Sequence, residues 1–142
     1  MERMIILGSH GCLSTGMASS LEIILGKTIA IKTVNAYIDD DFDLSKEVKE
    51  MIEANHGKEL IVVTDIMGGS VNNEFMKYLD YPNLYLVAGM SLPLLIELAT
   101  QLDLNQSTSV SEIIELVLDG RENFVSFCNR VVSTTSTQEE DF

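Results

Sequence analysis

The sequence predicts an α/β fold in which helices cover both faces of a doubly wound, mostly parallel sheet. Four short apolar runs, each as long as a buried strand, alternate with longer segments whose apolar residues recur at helical spacing. Strands that alternate with helices form parallel βαβ units, so we expect one sheet with the strand order 2-1-3-4. The chain has 142 residues, 46% of them hydrophobic, which is enough for one domain with a sizeable core.

The four apolar runs are the predicted strands. They cover residues 4–7, 29–34, 60–63 and 84–88. Parallel strands that are covered on both faces are typically apolar throughout, without the alternation seen in half-exposed strands. Gly8 ends the first run, and the turn residues Tyr81-Pro82-Asn83 precede the fourth.

Two helices are predicted between the first three strands. Apolar residues spaced i, i+4, i+7 and i+8 over residues 17–25 indicate the first helix, which Gly26 ends. A similar stripe over residues 44–52 indicates the second helix, with Asp41 or Asp43 available as its N-cap.

Three more helices follow the third and fourth strands. A short one is expected over residues 70–79, and the next over residues 93–102, with a proline in its first turn. Ser109 and Glu112 have capping-box spacing at the start of the last helix. Gly120 either ends or kinks that helix.

The chain is expected to form a single domain over residues 1–132, followed by a polar, flexible tail over residues 133–142. The tail consists mainly of Ser, Thr, Gln and acidic residues, which cannot form a core.

Composition excludes several functions. Nine Lys and Arg against 22 Asp and Glu give a formal charge of −13, which repels nucleic acid. No apolar stretch approaches the roughly 18 residues that cross a bilayer, and the N-terminus lacks the pattern of a signal peptide, so we expect a cytoplasmic protein without membrane insertion. Cys12 and Cys128 are expected to be free thiols. His10 and His56 have no metal-ligand spacing, and neither a metal nor a cofactor is predicted.

The candidate site lies where the strand order reverses, between strands one and three, because ligands of open α/β sheets bind there beyond the strands' carboxyl ends. The loop after strand one carries His10 and Gly11, and the loop after strand three carries Asp65 and the residues Gly68-Gly69-Ser70. These two loops, far apart in sequence, are expected to face each other across one crevice.

These residue types suit nucleophilic chemistry on an anionic group. The neutral imidazole of His10 is a competent nucleophile near neutral pH. A carboxylate such as Asp65, hydrogen-bonded to one ring nitrogen, fixes the tautomer and leaves the other nitrogen free. Backbone amides of the glycine pair and the Ser70 hydroxyl can contact an anion at the following helix start. The alternative interpretation of Gly68-Gly69-Ser70 is a tight turn followed by a helix cap. His56, beside Gly57, is interpreted as a solvent-exposed residue at the end of a helix.

The chain resembles the IIA components of the mannose family of the bacterial phosphoenolpyruvate-dependent sugar phosphotransferase system (PTS). The similarity extends to about residue 132. Its motifs are residues 4–11 (MIILGSHG), 61–73 (IVVTDIMGGSVNN), 86–94 (LVAGMSLPL) and 112–124 (EIIELVLDGRENF). Val71 stands where some relatives have proline, and Met67 where others have an aromatic residue; both changes can alter the fit of a partner.

The resemblance implies a fold, a reaction and partners. It implies an antiparallel edge strand beside the parallel sheet, and a homodimer. His10 would accept a phosphoryl group at Nε2 from the histidine-containing phosphocarrier protein HPr and pass it to a histidine of a IIB component during sugar uptake. Asp65 would orient the histidine, and Ser70, with Gly11, Gly68 and Gly69, would bind the phosphoryl group.

Other functions remain open at the level of sequence. A phosphoryl donor to a dihydroxyacetone kinase would use the same site. A histidine phosphatase or mutase would need an arginine before the histidine, where Ser9 stands, and a second catalytic histidine. A metal chelatase would need further ligands. A flavodoxin-like binding module is the remaining alternative, although no aromatic residue flanks the two loops. The transported sugar is not encoded in this chain.

Overall fold

A computed structural model of the protein describes residues 1–135. Four strands and six helices form this part of the chain. In order they are β1 (Arg3–His10), α1 (Leu13–Leu25), β2 (Ala30–Ala36), α2 (Leu44–Ala54), β3 (Glu59–Thr64), α3 (Ser70–Met76), β4 (Leu84–Ala88), α4 (Leu92–Leu104), α5 (Val110–Asp119) and α6 (Cys128–Thr135), with a 3₁₀ turn at Arg121–Asn123.

The four strands form one parallel sheet in the order β2-β1-β3-β4, which confirms the predicted order. β1 is central: Ile6 pairs with Lys32 of β2 and with Val62 of β3, and Val62 pairs in turn with Leu86 of β4. Because β1 is covered on both faces, every residue from Arg3 to Ser9 is buried. The carboxyl ends of all four strands therefore lie at the same edge of the sheet.

Helices cover both faces of this sheet, as predicted. Successive residues of a strand point to opposite faces, and those of β1 divide accordingly. Ile5 and Leu7 pack in a cluster with side chains of α1, α4 and α5. Met4 and Ile6 pack in a second cluster with side chains of α2 and α3, including Phe75.

Side-chain caps and a glycine define several helix ends. The Asp43 carboxylate accepts a hydrogen bond from the Lys46 amide at 3.2 Å and caps α2, which decides between the two predicted caps. The Ser109 hydroxyl accepts from the Glu112 amide at 3.2 Å and caps α5. Gly120 ends α5 and does not kink it.

The C-terminal part of the described chain differs from expectation. No antiparallel edge strand is present in residues 1–135, because the chain after α5 forms the 3₁₀ turn and then α6. α6 includes residues 133–135, the start of the expected tail. The rest of that tail, residues 136–142, lies outside the described residues. The third helix is also shorter than predicted and ends at Met76.

A buried arginine, Arg3, lies at the opposite edge of the sheet, where the strands begin. Arg3 donates from Nη1 to the Leu102 carbonyl at 2.8 Å and from Nη2 to the Thr108 carbonyl at 2.5 Å. Its Nε lies 3.3 Å from a Glu59 carboxylate oxygen. The first residue of β1 is thereby joined to the last turn of α4 and to the connection between α4 and α5. In residues 1–135, each helix is too short or too polar to pass through a bilayer.

Candidate active site

The loops after β1 and β3 meet at the carboxyl edge of the sheet, as the strand order requires. His10 is the last residue of β1 and its side chain is 44% exposed. Gly11 follows in a left-handed conformation (φ 61°), and its amide donates to the Ala36 carbonyl at 2.9 Å. The Asp65 amide donates to the Gly8 carbonyl at 3.1 Å, which fixes the second loop against β1.

Asp65 holds His10 through a single carboxylate oxygen. Oδ2 accepts the backbone amide of His10 at 2.8 Å and lies 2.7 Å from the ring nitrogen Nδ1. The other oxygen, Oδ1, accepts the Ile66 amide at 3.0 Å. A carboxylate at Nδ1 favours the tautomer that carries its proton there, so the lone pair is on Nε2.

The environment of Asp65 favours the ionised carboxylate. Its side chain is only 11% exposed, and burial by itself would raise its pKa. Hydrogen bonds from the amide and ring of His10 and from the Ile66 amide together outweigh burial, and the pKa of Asp65 is lowered. The Asp65 carboxylate is therefore ionised near neutral pH.

Ser70 lies on the other side of the imidazole. Its Oγ is 3.4 Å from Nε2, a long contact that leaves room for adjustment. The first backbone hydrogen bond of α3 is donated by the Asn73 amide to the Gly69 carbonyl at 2.9 Å. The Ser70 amide comes before it, in the first turn, where amides have no acceptor within the helix. The hydroxyl and this amide are both on an exposed residue at the edge of the site.

The glycine pair shapes the loop more than it supplies free amides. The Gly68 amide donates to Asn72 Oδ1 at 3.3 Å, and the Gly69 amide donates to the Ile66 carbonyl at 3.4 Å. A Cβ on residue 69 would lie 2.8 Å from Ile66 Cγ1 and 3.4 Å from Cε1 of the His10 ring. Glycine at this position therefore keeps the ring edge beside Nε2 uncrowded.

Tyr37 is a residue of this site that the sequence did not reveal. It follows β2, and its hydroxyl donates to Ser70 Oγ at 2.8 Å. Its ring centroid is 5.7 Å from that of His10, at an interplanar angle of 42°. The loops after strands one and three contain no aromatic residue, and the one at the site comes from the loop after strand two.

Hydrogen bonds between buried polar residues stabilise both loops. The Ser9 hydroxyl accepts the amide and the hydroxyl of Ser14, each at 2.8 Å, at the start of α1. Asn72 donates to Thr64 Oγ1 at 2.8 Å while accepting the Gly68 amide. The signal available in the sequence was the presence of small polar residues immediately before and after the two loops.

The remaining candidate residues lie as follows. His56 is exposed at the end of α2, with Nδ1 2.9 Å from the Tyr81 hydroxyl, and is not brought to His10. Cys12 and Cys128 are free and exposed. Gly89 and Met90, which follow β4, lie beside the loop after β3, since their amides both donate to the Thr64 carbonyl at 3.0 Å. Residues 1–135 contain no group of three His, Cys, Asp or Glu side chains that could hold a metal ion.

Comparison with known proteins gives a consistent set of relatives. The sequence pattern of the family described as EIIA-man, PTS system fructose IIA component, matches residues 4–118. A protein from Klebsiella pneumoniae, assigned as a phosphoenolpyruvate-dependent sugar PTS permease, has 36% sequence identity and a TM-score of 0.83, over 93% of this chain and 95% of its own. No curated protein sequence matches the chain significantly.

Two further solved structures are similar to the chain. The mannose/sorbose-specific IIA subunit of the phosphotransferase system from Enterococcus faecalis has 25% identity and a TM-score of 0.71, over 89% of this chain and 96% of its own. The PTS IIA protein associated with the fucose utilization operon from Streptococcus pneumoniae has 24% identity and a TM-score of 0.67, over 92% of this chain and 97% of its own. At 24% identity, the similarity to the Streptococcus pneumoniae protein shows a shared fold only.

The fold, the paired His10 and Asp65, and these relatives define a IIA component of a sugar phosphotransferase system, a phosphoryl carrier. The chain belongs to the mannose-type family of these components, whose pattern covers most of its length. This confirms the resemblance read from the sequence motifs.

Proposed function

We propose that His10 is the residue that carries the phosphoryl group, at Nε2, between the phosphocarrier protein HPr and a IIB component. The observation that carries this proposal is the position of Asp65 Oδ2, 2.7 Å from Nδ1 of His10. With that nitrogen occupied by a hydrogen bond, Nε2 of a partly exposed ring is the nucleophilic atom.

The transfer is an exchange between two imidazoles. The lone pair of His10 Nε2 attacks the phosphorus of the donor's phosphohistidine, the donor's N–P bond breaks, and its electron pair returns to the donor ring. The proton on Nδ1 stays in place, so the phosphorylated ring is positively charged. The ionised Asp65 carboxylate stabilises that charge and holds the ring in line with the donor.

Ser70 and the glycines supply the phosphoryl-binding part of the site. The Ser70 hydroxyl, 3.4 Å from Nε2, and the Ser70 amide are donors for the phosphoryl oxygens. Gly11, Gly68 and Gly69 contribute backbone shape: the first two are in left-handed conformations, and the third leaves the ring edge open. Positioning and charge stabilisation are the protein's contributions to such a transfer.

The surroundings of the site support a protein donor and acceptor over a small molecule. Ile38, Ile66 and Met67 are 52%, 57% and 74% exposed and adjoin site residues along the chain. Exposed apolar side chains next to the residues of a site are typical of a surface that another protein covers. Family membership supports HPr and a IIB component as those proteins, a cytoplasmic location and a homodimer.

The test is phosphorylation from phosphoenolpyruvate. The protein is incubated with Enzyme I, HPr and phosphoenolpyruvate, and acid-labile phosphate is mapped by mass spectrometry. We expect one phosphoryl group on His10, none on His10→Ala, and normal labelling of His56→Ala, the matched variant of the other histidine. Full labelling of His10→Ala would refute the assignment. Transfer from the labelled protein to a IIB component, or instead to a dihydroxyacetone kinase subunit, then identifies the acceptor.

A further inference from the structure

We propose that Tyr37 is a positioning residue for phosphoryl transfer, whose hydroxyl orients the Ser70 hydroxyl toward the phosphoryl group on His10. This inference rests on the proposed role of His10 and adds a residue to that site. It concerns the tyrosine hydroxyl specifically, because the ring and the hydroxyl of Tyr37 make different contacts.

The contacts of Tyr37 place it in the site and not in the core. Its hydroxyl donates to Ser70 Oγ at 2.8 Å, and its ring centroid lies 5.7 Å from that of the tilted His10 imidazole and 5.7 Å from that of Phe42, which it meets edge-on. The side chain is nevertheless 53% exposed. Hydrophobic burial therefore gives a weak reason for a large aromatic residue at this position.

The backbone of Tyr37 is held in an unfavourable conformation. Its φ is 66°, the left-handed region that glycine and asparagine tolerate better than a bulky residue. The neighbouring Ala36 carbonyl accepts the Gly11 amide at 2.9 Å, which ties the end of β2 to the turn after His10. Such conformations persist where surrounding structure fixes them, and they cluster at functional sites.

The direction of the hydrogen bond gives Tyr37 its effect. A serine hydroxyl has one proton to donate and two lone pairs that accept. Because Tyr37 donates to Ser70 Oγ, the Ser70 proton stays available for the His10 side, where Nε2 lies 3.4 Å away. After transfer, Nε2 no longer has a free lone pair, and a phosphoryl oxygen accepts the hydrogen bond from the Ser70 hydroxyl in its place. A hydroxyl that accepts one hydrogen bond also donates more strongly in a second.

A different role for Tyr37 would give different results. If Tyr37 only formed part of the surface that a partner protein covers, its ring would matter and its hydroxyl would not. Tyr37→Phe keeps the ring and removes the hydroxyl, whereas Tyr37→Ala removes both. The two substitutions separate a contact with the partner, which changes KM, from an effect on the transfer step, which changes kcat.

The experiment measures phosphoryl transfer from phosphorylated HPr at varied concentration. We expect Tyr37→Phe to lower kcat roughly three- to tenfold, the effect of one lost hydrogen bond, with KM for HPr unchanged. In the Ser70→Ala background the same substitution should have no further effect, because Tyr37 acts through Ser70. Tyr81→Phe is the matched control, since the Tyr81 hydroxyl contacts the other histidine, His56, at 2.9 Å.

The outcomes separate this inference from the proposed function. If the wild type accepts phosphate on His10 and Tyr37→Phe has an unchanged kcat, the inference is wrong and the proposed function stands. The inference would also be overturned if Tyr37→Phe lowered kcat by the same factor in the Ser70→Ala protein as in the protein with Ser70. If the wild type accepts no phosphate from HPr, the proposed function fails and the inference fails with it.

Discussion

Asp65 binds the backbone and the side chain of His10 with the same oxygen atom, Oδ2, at 2.8 Å and 2.7 Å respectively. The position of the imidazole is therefore fixed relative to its own main chain as well as to the carboxylate. A ring held in this way can rotate little about χ1 and χ2, and its Nε2 keeps one direction. Preorganisation of this kind lowers the cost of reaching the in-line geometry of transfer.

Replacing Asp65 with asparagine should slow phosphoryl acceptance without unfolding the protein. Asparagine has only one carbonyl oxygen, which can still accept the Ile66 amide in the place of Oδ1. Its NH₂ group then stands in the place of Oδ2, where it leaves the His10 amide without an acceptor and donates to Nδ1, which favours the wrong ring tautomer. We expect a loss of about 10- to 10⁴-fold in rate, the upper figure being that of the equivalent change in a serine-protease triad. The ¹⁵N shifts of the ring should show the proton moving to Nε2; an unchanged tautomer and rate would contradict this prediction.

The lowered pKa of Asp65 predicts how stability depends on pH. A carboxyl whose pKa is lower in the folded state than its unfolded value of about 3.9 stabilises the fold above that value. This contribution is lost as the pH falls from about 5 through the lowered pKa. The difference in free energy of unfolding between wild type and Asp65→Asn, measured in urea from pH 7 to pH 3, should therefore be constant above about pH 5 and decrease below it. A constant difference over this range would show that Asp65 contributes through packing instead.

Gly8 leaves no space for a side chain under the site. A Cβ there would lie 3.0 Å from Phe75 Cε2 and 3.0 Å from Val71 Cγ1, both in the buried layer of α3. We expect Gly8→Ala to lower the free energy of unfolding by about 1–3 kcal/mol. It should also slow phosphoryl acceptance, because the Gly8 carbonyl accepts the Asp65 amide.

Gly16→Ala is the control for this substitution. Gly16 lies within α1, and a Cβ there meets nothing within 4 Å. Alanine in a helix should raise stability by up to about 1 kcal/mol. Equal effects of the two changes in urea denaturation would mean that crowding at Phe75 is not the cause.

Replacing Arg3 with lysine should destabilise the fold and leave the site intact. Lysine cannot reproduce the planar fork that reaches the Leu102 and Thr108 carbonyls together. We expect a loss of roughly 2–4 kcal/mol, whereas Lys27→Ala, at an exposed pair, should cost less than about 1 kcal/mol. The phosphoryl acceptance rate of the folded protein should be unchanged, because Arg3 and His10 are at opposite ends of β1. A slower phosphoryl acceptance rate would indicate that the change at Arg3 alters β1 as far as His10.

The sequence predicted the sheet well because its strands are strongly apolar. β4 has the predicted bounds, and the strand order follows from the βαβ connections. The ends of β1 and β2 extend further than their apolar runs, since backbone pairing continues through Ser9 with Asn35 and His10 with Ala36. Pairing of the main chain is independent of side-chain hydrophobicity, so an apolar pattern underestimates the length of such strands.

The site was predictable in part. His10 and Asp65 follow from the rule that ligands bind where the strand order reverses. Tyr37 does not, because its position depends on a left-handed backbone that tyrosine rarely adopts, and no residue pattern indicates it. The use of the Gly68 amide by the Asn72 side chain is likewise a tertiary contact. α6 was missed because a Ser- and Thr-rich segment has low helix propensity.

The contacts of Arg3 set an order of events during protein synthesis. Its carbonyl acceptors, at residues 102–108, are synthesised about a hundred residues after the guanidinium that binds them. β1 also needs β3 as a partner before both of its edges are paired. β1 therefore cannot complete its pairing and its side-chain contacts until most of the domain has been translated.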